Sequence, residues 1–290
     1  MQFSVIQSEV RSRLVEPTAR YFTDAEIKRW INIGYRDFVS RTRWTQRVKA
    51  FGVTANQYEY TLPSDYIAVE ELVWQDKYKV YLADLDEMRD IIGASPTLTS
   101  TRPTAFIAYP SDKRFRIFPA PSAASSATAI NAVGGINSSV TTITVDSTTG
   151  FPSRGRLIIE NEQIIYYNTT STTFTQCVRG ADDTTAATHA DDIAVTEAEL
   201  LLAHTYVPVD MSADADIPKI PEIWHEALVL YAMHIGLQKR SLWRESAQML
   251  QEYERITEKA VAERARAQMD RQWFIKDEDY YTGIYHYGVL

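Results

Sequence analysis

Residues 122–198 differ in chemistry from everything around them, and that difference limits what the chain can fold into. The stretch contains no lysine, tryptophan or methionine, and roughly three residues in ten are Ser or Thr. Short alternating runs separated by turn residues read as strands throughout. On both sides the sequence is aromatic, charged and mostly of helical period. The bordering segments 114–118 and 200–207 both read as strands, and they would pair as a hairpin if the middle were removed. The expectation is a self-contained β module set into a host domain. Such an arrangement is more usual in assembly and recognition proteins than in small metabolic enzymes.

The chain has 290 residues, enough for one large domain or two of ordinary size. Its hydrophobic fraction of 45% and charged fraction of 23% are those of a soluble globular chain. No apolar run approaches the ~18 residues of a membrane helix. Met1-Gln-Phe-Ser-Val-Ile-Gln7 has neither the basic region nor the apolar core of a signal peptide. Cys177 stands alone, which excludes an internal disulfide and fits a reducing cytoplasm. A net charge of −8 argues against tight nucleic-acid binding, which needs a basic face. Seventeen tyrosines and six tryptophans point to interfaces, where these residues are enriched.

Helical period dominates the N-terminal part. Ser4 and Gln7 have capping-box spacing ahead of Ile6, Val10 and Leu14, with Pro17 expected to close that helix. Thr23-Asp-Ala-Glu26 is a stronger capping box. It opens a helix with Ile27, Trp30, Ile31, Tyr35, Phe38 and Val39 on one face. Gly34 within that stripe implies close passage of another backbone. Tyr58, Tyr60 and Leu62 alternate with Gln57, Glu59 and Thr61 as in a half-buried strand. A second strand spans 67–74, a short helix carries Leu85, Met88, Ile91 and Ile92, and 104–109 with 114–118 form a hairpin.

Inside the insert, strands are expected near 141–145, 156–159, 163–167, 172–178 and 193–196, as a small barrel or sandwich. Thr-rich strands with an uncovered outer face fit a module projecting into solvent. Beyond it, Trp224, Ala227, Leu228, Tyr231 and Ile235 form one helical stripe. A second helix runs from Ser241 to about Gln272, ~45 Å at 1.5 Å per residue, with Ala247, Leu250, Tyr253, Val261 and Ala265 inward. The expected fold class is therefore α+β: a mainly α-helical bundle with a long C-terminal helix and a small antiparallel sheet, plus the inserted all-β barrel or sandwich. The domains are 1–121 with 199–272, the insert 122–198, and an extended C-terminal docking tail 273–290.

That tail is rich in aromatics, unlike a disordered segment. Trp273, Phe274, Tyr280, Tyr281, Tyr285 and Tyr287 are candidate anchors on another subunit or partner; folding back on the tail's own domain is the alternative. Arg36, Arg41, Arg43 and Arg47, with Lys49, form a basic cluster at and beyond the end of the second helix. The helix dipole explains positive charge there, and contact with an acidic partner or DNA phosphates is the functional reading. Catalytic signals are weak. His189, His204, His225, His234 and His286 lack metal-ligand spacing, and His225 reads as a capping or surface imidazole. Cys177 has no basic partner, Ala132-Val-Gly-Gly-Ile136 lacks the spacing of a phosphate loop, and Asp24/Glu26 and Asp182/Asp183 are chance carboxylate pairs. No catalytic site, metal or cofactor is expected.

Taken in order, Tyr21-Phe-Thr-Asp-Ala-Glu-Ile-Lys-Arg-Trp30, Tyr60-Thr-Leu-Pro-Ser-Asp-Tyr66, Phe115-Arg-Ile-Phe-Pro-Ala-Pro121 and Asp216-Ile-Pro-Lys-Ile-Pro-Glu-Ile-Trp-His225 resemble the head-to-tail adaptor (connector) proteins of tailed bacteriophages, the tail tubular protein A type included. The resemblance covers 1–121 and 199–272. The insert is similar to a β module of phage neck and tail proteins through Thr149-Gly-Phe-Pro152, Glu162-Gln-Ile-Ile-Tyr166 and Val178 to His189, with Asp183 and Asp191 where that module usually has glycine. The resemblance implies a non-enzymatic ring of about twelve subunits in the virion neck, assembled in the host cytoplasm. It implies a portal protein above, a tail or nozzle protein below, double-stranded DNA passing without specific binding, and no membrane. Helices would line the channel, and the acidic charge would keep DNA from adhering. The competing reading is a neck or tail binding protein whose β insert recognises a receptor or glycan.

Overall fold

The computed structural model describes residues 1–16, 18–94 and 97–284. The helices are α1 (Phe3–Arg13), α2 (Asp24–Thr42), α3 (Leu85–Ala94), α4 (His225–Lys239) and α5 (Trp243–Ile284). The strands are β1 (Gln46–Phe51), β2 (Glu59–Thr61), β3 (Tyr66–Trp74), β4 (Tyr78–Leu82), β5 (Thr99–Ser100), β6 (Ala105–Tyr109), β7 (Arg114–Phe118) and β8 (Ala120–Pro121), followed by β9 (Ala127–Ala129), β10 (Ile143–Thr144), β11 (Gly155–Ile159), β12 (Glu162–Tyr166), β13 (Asn168–Thr169), β14 (Thr173–Thr175), β15 (Ala194–Glu197) and β16 (Leu200–Tyr206). Two compact units result: Met1–Thr45 with Val207–Leu290, and Gln46–Tyr206. About 32% of the chain is helical and 28% is strand. That balance overturns the expected mainly helical bundle built on a long C-terminal helix with a small sheet. The chain is mixed, with several sheets, the largest seven-stranded and curled.

In the helical unit α4 is central. Ala227, Leu228, Val229, Leu230, Ala232 and Met233 are all buried, so α4 has almost no polar face, as a helix covered on all sides requires. Helices α1, α2 and α5 pack around it. Helix α2 starts at the expected capping box, with the Glu26 amide donating to Thr23 Oγ1 (3.2 Å) and the Thr23 amide to Glu26 Oε2 (3.0 Å). All six stripe residues of α2 are buried. By contrast α1 has Gln2 at its N-cap with no side-chain cap, so Ser4 and Gln7 do not make a capping box; the Ser4 carbonyl instead accepts from Ser8. The expected stop for α1, Pro17, lies outside the described residues.

Two loops of this unit are tied down by buried polar groups. Glu16 accepts from the backbone amides of Arg20 (2.8 Å) and Phe22 (2.9 Å), and from the Arg240 guanidinium (2.9 Å). Burial alone would raise its pKa, but these donors outweigh it and hold the carboxyl at about 2. The Asn32 side chain donates to the Met211 carbonyl and accepts the Met211 amide, both at 2.9 Å.

The buried stripe of α5 is Ser246, Tyr253, Thr257, Ala260 and Arg264. Ala247, Val261 and Ala265, expected inward, are exposed. Polar anchors fix this helix face where alanines carry little weight. Tyr253 donates to Asp37 (2.5 Å) and packs edge-on against Tyr231, while Arg264 donates to the Thr42 carbonyl (3.2 Å). Residues 273–284, expected to be extended, continue α5. No proline or glycine interrupts the chain before Gly283, so nothing local stops the helix.

The large sheet runs β1-β16-β3-β4-β6-β7-β2, antiparallel except for β4 beside β6. Strand β16 lies between β1 and β3, pairing Leu202 with Lys49 on one side and Leu72 on the other. The hairpin expected between 114–118 and 200–207 is therefore wrong: β7 pairs with β6 and β2. Six of the seven β16 residues are buried, which calls for two flanking strands and cover on both faces. The missing partner is β1, hidden in the sequence because Gln46-Arg-Val-Lys-Ala-Phe51 reads as part of a basic run. One core of this unit gathers Tyr60, Leu62, Leu72, Trp74, Val80, Phe106, Phe115 and Leu202.

Residues 127–197 enclose a separate core of Ile143, Val145, Leu157, Ile159, Ile164, Tyr166, Phe174 and Val195. Two small sheets cover it, β12-β11-β15-β9 and β10-β14-β13. All five strands read from the sequence recur with shifted ends; β9 and β13 are additional. No helix among the described residues is long and apolar enough to cross a membrane.

Gly34 faces a side chain of α4, where a backbone was expected. A Cβ there would lie 2.8 Å from Tyr231 Cβ. Gly34→Ala gains ~1 kcal/mol of helix propensity but forces an overlap costing about 1–3 kcal/mol. The expected result is a net loss of stability in chemical denaturation; a stabilised variant contradicts the close crossing.

Candidate interaction surfaces

The turn-rich segment Val178 to His189 closes around Glu162, the first residue of β12. Glu162 accepts from Arg179 through both carboxylate oxygens (2.8 Å each) and from the Gly180 (2.9 Å) and Ala187 (3.1 Å) amides, and it meets His189 Nε2 at 2.7 Å. The other His189 nitrogen meets Glu160 at 2.7 Å. Glu162 and His189 are buried, and the Arg179 side chain is only 6% exposed. Burial pushes the Glu162 carboxyl up, but Arg179, His189 and the two amides prevail and hold it at about 2. Every acceptor position is filled, so the cluster is a closed lock for the insert's largest loop. Asp183, one of the two aspartates at a usual glycine position, has φ 65°, a left-handed conformation that Asp tolerates better than most residues. The other, Asp191, accepts from the Ala132 amide (2.8 Å).

The insert is seated on the sheet rather than suspended from it. The Gln163 side chain accepts from the Ala50 amide (2.8 Å) and donates to the Val48 carbonyl (3.1 Å), so one side-chain amide occupies the free edge of β1 as a strand would. Ile158 and Ala198 pack with Val48, Ala50, Val73 and Leu201. Arg156 is clasped by Asp76 (2.9 Å) and by Asp182. Tyr206 donates to Asp183 (3.2 Å). One outer face of the module is thus covered, against the expectation of strands facing solvent throughout.

The basic cluster falls in both units, and most of it is already paired. Arg36 pairs with Asp210, and Arg41 pairs with Glu254 and, at 3.6 Å, Asp37. In the sheet unit Arg47 pairs with Asp65 and lies 4.6 Å from the Tyr206 ring centroid. Arg43 and Lys49 are exposed and have no ion pair among the described residues. Arg43 serves the helix end through its backbone instead, in a left-handed C-cap whose amide donates to Val39. Acidic charge is unevenly divided. Residues 46–206 hold 12 basic and 19 acidic side chains, net −7, and the helical unit holds 18 and 19, net −1.

Of the tail residues, Trp273, Phe274, Tyr280 and Tyr281 fall within the backbone of α5, and Tyr285 and Tyr287 lie outside the described residues. An apolar corner missed in the sequence adjoins the start of α5. Val15 (84% exposed) follows Leu14, whose carbonyl accepts from Arg240; Tyr21 donates to the Lys239 carbonyl; Leu242 and Trp243 (65% exposed) follow directly. Val15 and Tyr21 belong to an irregular loop, so no period could reveal them.

No group of three or more His, Cys, Asp and Glu suited to a metal occurs among the described residues. His225 is buried, not at the surface as expected: its Nε2 meets the Ile220 carbonyl (3.1 Å) and its Nδ1 the Met1 amine (2.9 Å), and burial lowers its pKa. Burial raises the Cys177 thiol to about 11, which makes it a poor nucleophile.

The family model described as SU10 adaptor protein matches residues 1–274 of the chain. A search of curated proteins finds no match.

Glu162→Gln keeps the side chain's shape but leaves the buried Arg179 guanidinium without its counter-charge, at a cost of about 3 kcal/mol. Because the folded carboxyl titrates at about 2, below its ordinary value, its contribution is whole above pH ~4.5 and fades as pH falls through about 2. Denaturation at pH 7 should show the full loss. Wild-type stability at pH 7 would rule the lock out.

Proposed function

Since the chain belongs to the SU10 adaptor protein family, and is thereby a phage structural adaptor of the head–tail junction that binds other phage proteins such as portal or tail, we propose that its copies form a ring of about twelve beneath the portal. The ring extends the DNA channel and presents a platform to a tail or nozzle protein, as in adaptors of the tail tubular protein A type. It assembles in the host cytoplasm, lets DNA pass during packaging and ejection without specific binding, and catalyses no reaction. The family match over 1–274 carries this reading. Residues 1–121 and 199–272 do the assembly work. Residues 122–198 are an accessory similar to phage neck and tail β modules, and 273–290 dock on the portal or a neighbouring subunit through Trp273, Phe274, Tyr280, Tyr281, Tyr285 and Tyr287.

The charge distribution refines one part of the proposal. A lumen that repels DNA draws its negative charge from the sheet unit, since the helical unit is close to neutral. For the basic cluster, Arg43 and Lys49 are the residues free to meet an acidic partner or passing phosphates; Arg36, Arg41 and Arg47 act chiefly inside the fold. Receptor recognition by the insert has one observation in its favour, the fully exposed Val133 at the Ala132–Gly135 turn. Loss of host-cell binding on Val133→Asp in the full chain would support it.

Native mass measurement and negative-stain imaging, alone and with the portal, test the ring. A chain that stays monomeric in both conditions ends the proposal. Truncation after Gln272 should leave the circular dichroism spectrum and melting temperature of the rest close to wild type while abolishing portal attachment. Attachment that survives the truncation removes the docking role of the tail.

A further inference from the structure

The insert joins its host through two adjacent segments, 122–126 inbound and 197–199 outbound, and two buried carboxylates sit at that junction. Glu197 ends β15 and Glu199 precedes β16; they are 5% and 9% exposed. Glu199 accepts at both carboxyl oxygens: Gln75 donates to its Oε1 (2.7 Å) and Ser125 to its Oε2 (2.8 Å). Its carbonyl accepts from the Gln75 amide (2.6 Å). Ser125 is itself latched to Val53 by bonds in both directions, at 2.8 and 2.9 Å. Glu197 has weaker support. Its amide donates to the Ser126 carbonyl (2.8 Å), while the Ser126 hydroxyl donates to the Gly150 carbonyl (2.9 Å).

No cation pairs with either carboxylate among the described residues. On β11 Arg156 is turned to Asp76 and Asp182. On β12 the facing group is the Tyr166 phenol, and on β2 the Tyr60 phenol lies near Glu199; burial raises both, so neither is charged near neutrality. Neighbouring β9 offers only Ala127, Thr128 and Ala129. Two carboxylates placed together in a site without a positive charge do not both ionise cheaply.

We propose that Glu197 and Glu199 hold a single proton between them at the insert's junction, and that its loss loosens the grip of the insert on the host sheet. The proton resides on Glu197, because both Glu199 oxygens already accept hydrogen bonds, from Gln75 and Ser125. Burial first, and then the Glu199 charge, raise Glu197 to about 7. A carboxyl raised on folding stabilises the fold fully below its ordinary value and loses that contribution as pH rises through about 7. Ionised, Glu197 draws water or moves outward, and the neighbouring Ser126 contact is the first to yield.

Hydrogen exchange of the full chain, corrected for intrinsic rates, reads the junction. Amides of 124–127 and 196–199 should lose about tenfold in protection between pH 6 and pH 8.5, with the β3–β16 ladder unchanged. Glu197→Gln should abolish the pH dependence. Protection that does not change in the wild type, or that still falls in Glu197→Gln, overturns the proposal. If Glu197→Gln does not fold, Glu199→Gln serves: removing the neighbouring charge should move the midpoint to lower pH, and an unmoved midpoint is equally fatal.

Discussion

The sheet unit depends on the burial of β16. Leu200, Leu201 and Leu202 sit between β1 and β3, and Tyr206 closes the strand as the chain leaves the unit. A strand this apolar must be central, so the chain has to return from the insert directly into the middle of the host sheet. That requirement places the insert's base beside β1 and β3, where Ile158, Gln163 and Arg156 find their partners. The position of the module follows from where its outbound strand is needed. A flexible tether would not satisfy Leu200–Leu202.

Much of the helical unit could be read from the sequence, because its devices are local. The Thr23–Glu26 box and the α2 stripe need only spacing, and both appear where expected. Helix α5 misled because alanines dominate its apolar positions, and its seating is decided by Tyr253 and Arg264, whose polar ends reach Asp37 and Thr42. No helical period contains that information. The sheet failed for a different reason. Strand β1 is a solvent-tinged edge whose role becomes visible only through its partner 149 to 159 residues away in sequence.

The candidate interaction residues divide in the same way. Arginines 36, 41 and 47 were legible as a basic cluster, but sequence cannot show that Asp210, Glu254 and Asp65 have already claimed them. Conversely, Glu162, Arg179 and His189 lay in segments read as marks of a phage module. Their spacing gave no hint that the three converge in one site, because the contacts cross between β12 and a turn-rich loop.

The Gln163 side chain has a consequence for the history of such a chain. By filling the hydrogen-bonding edge of β1 at Val48 and Ala50, it blocks that edge of the host sheet from pairing with a strand of another copy. A lineage that discarded residues 122–198 would bare that edge at the high local concentrations of virion assembly, and would invite fibre growth. The module can therefore be diversified in its loops far more easily than it can be lost, whatever it binds.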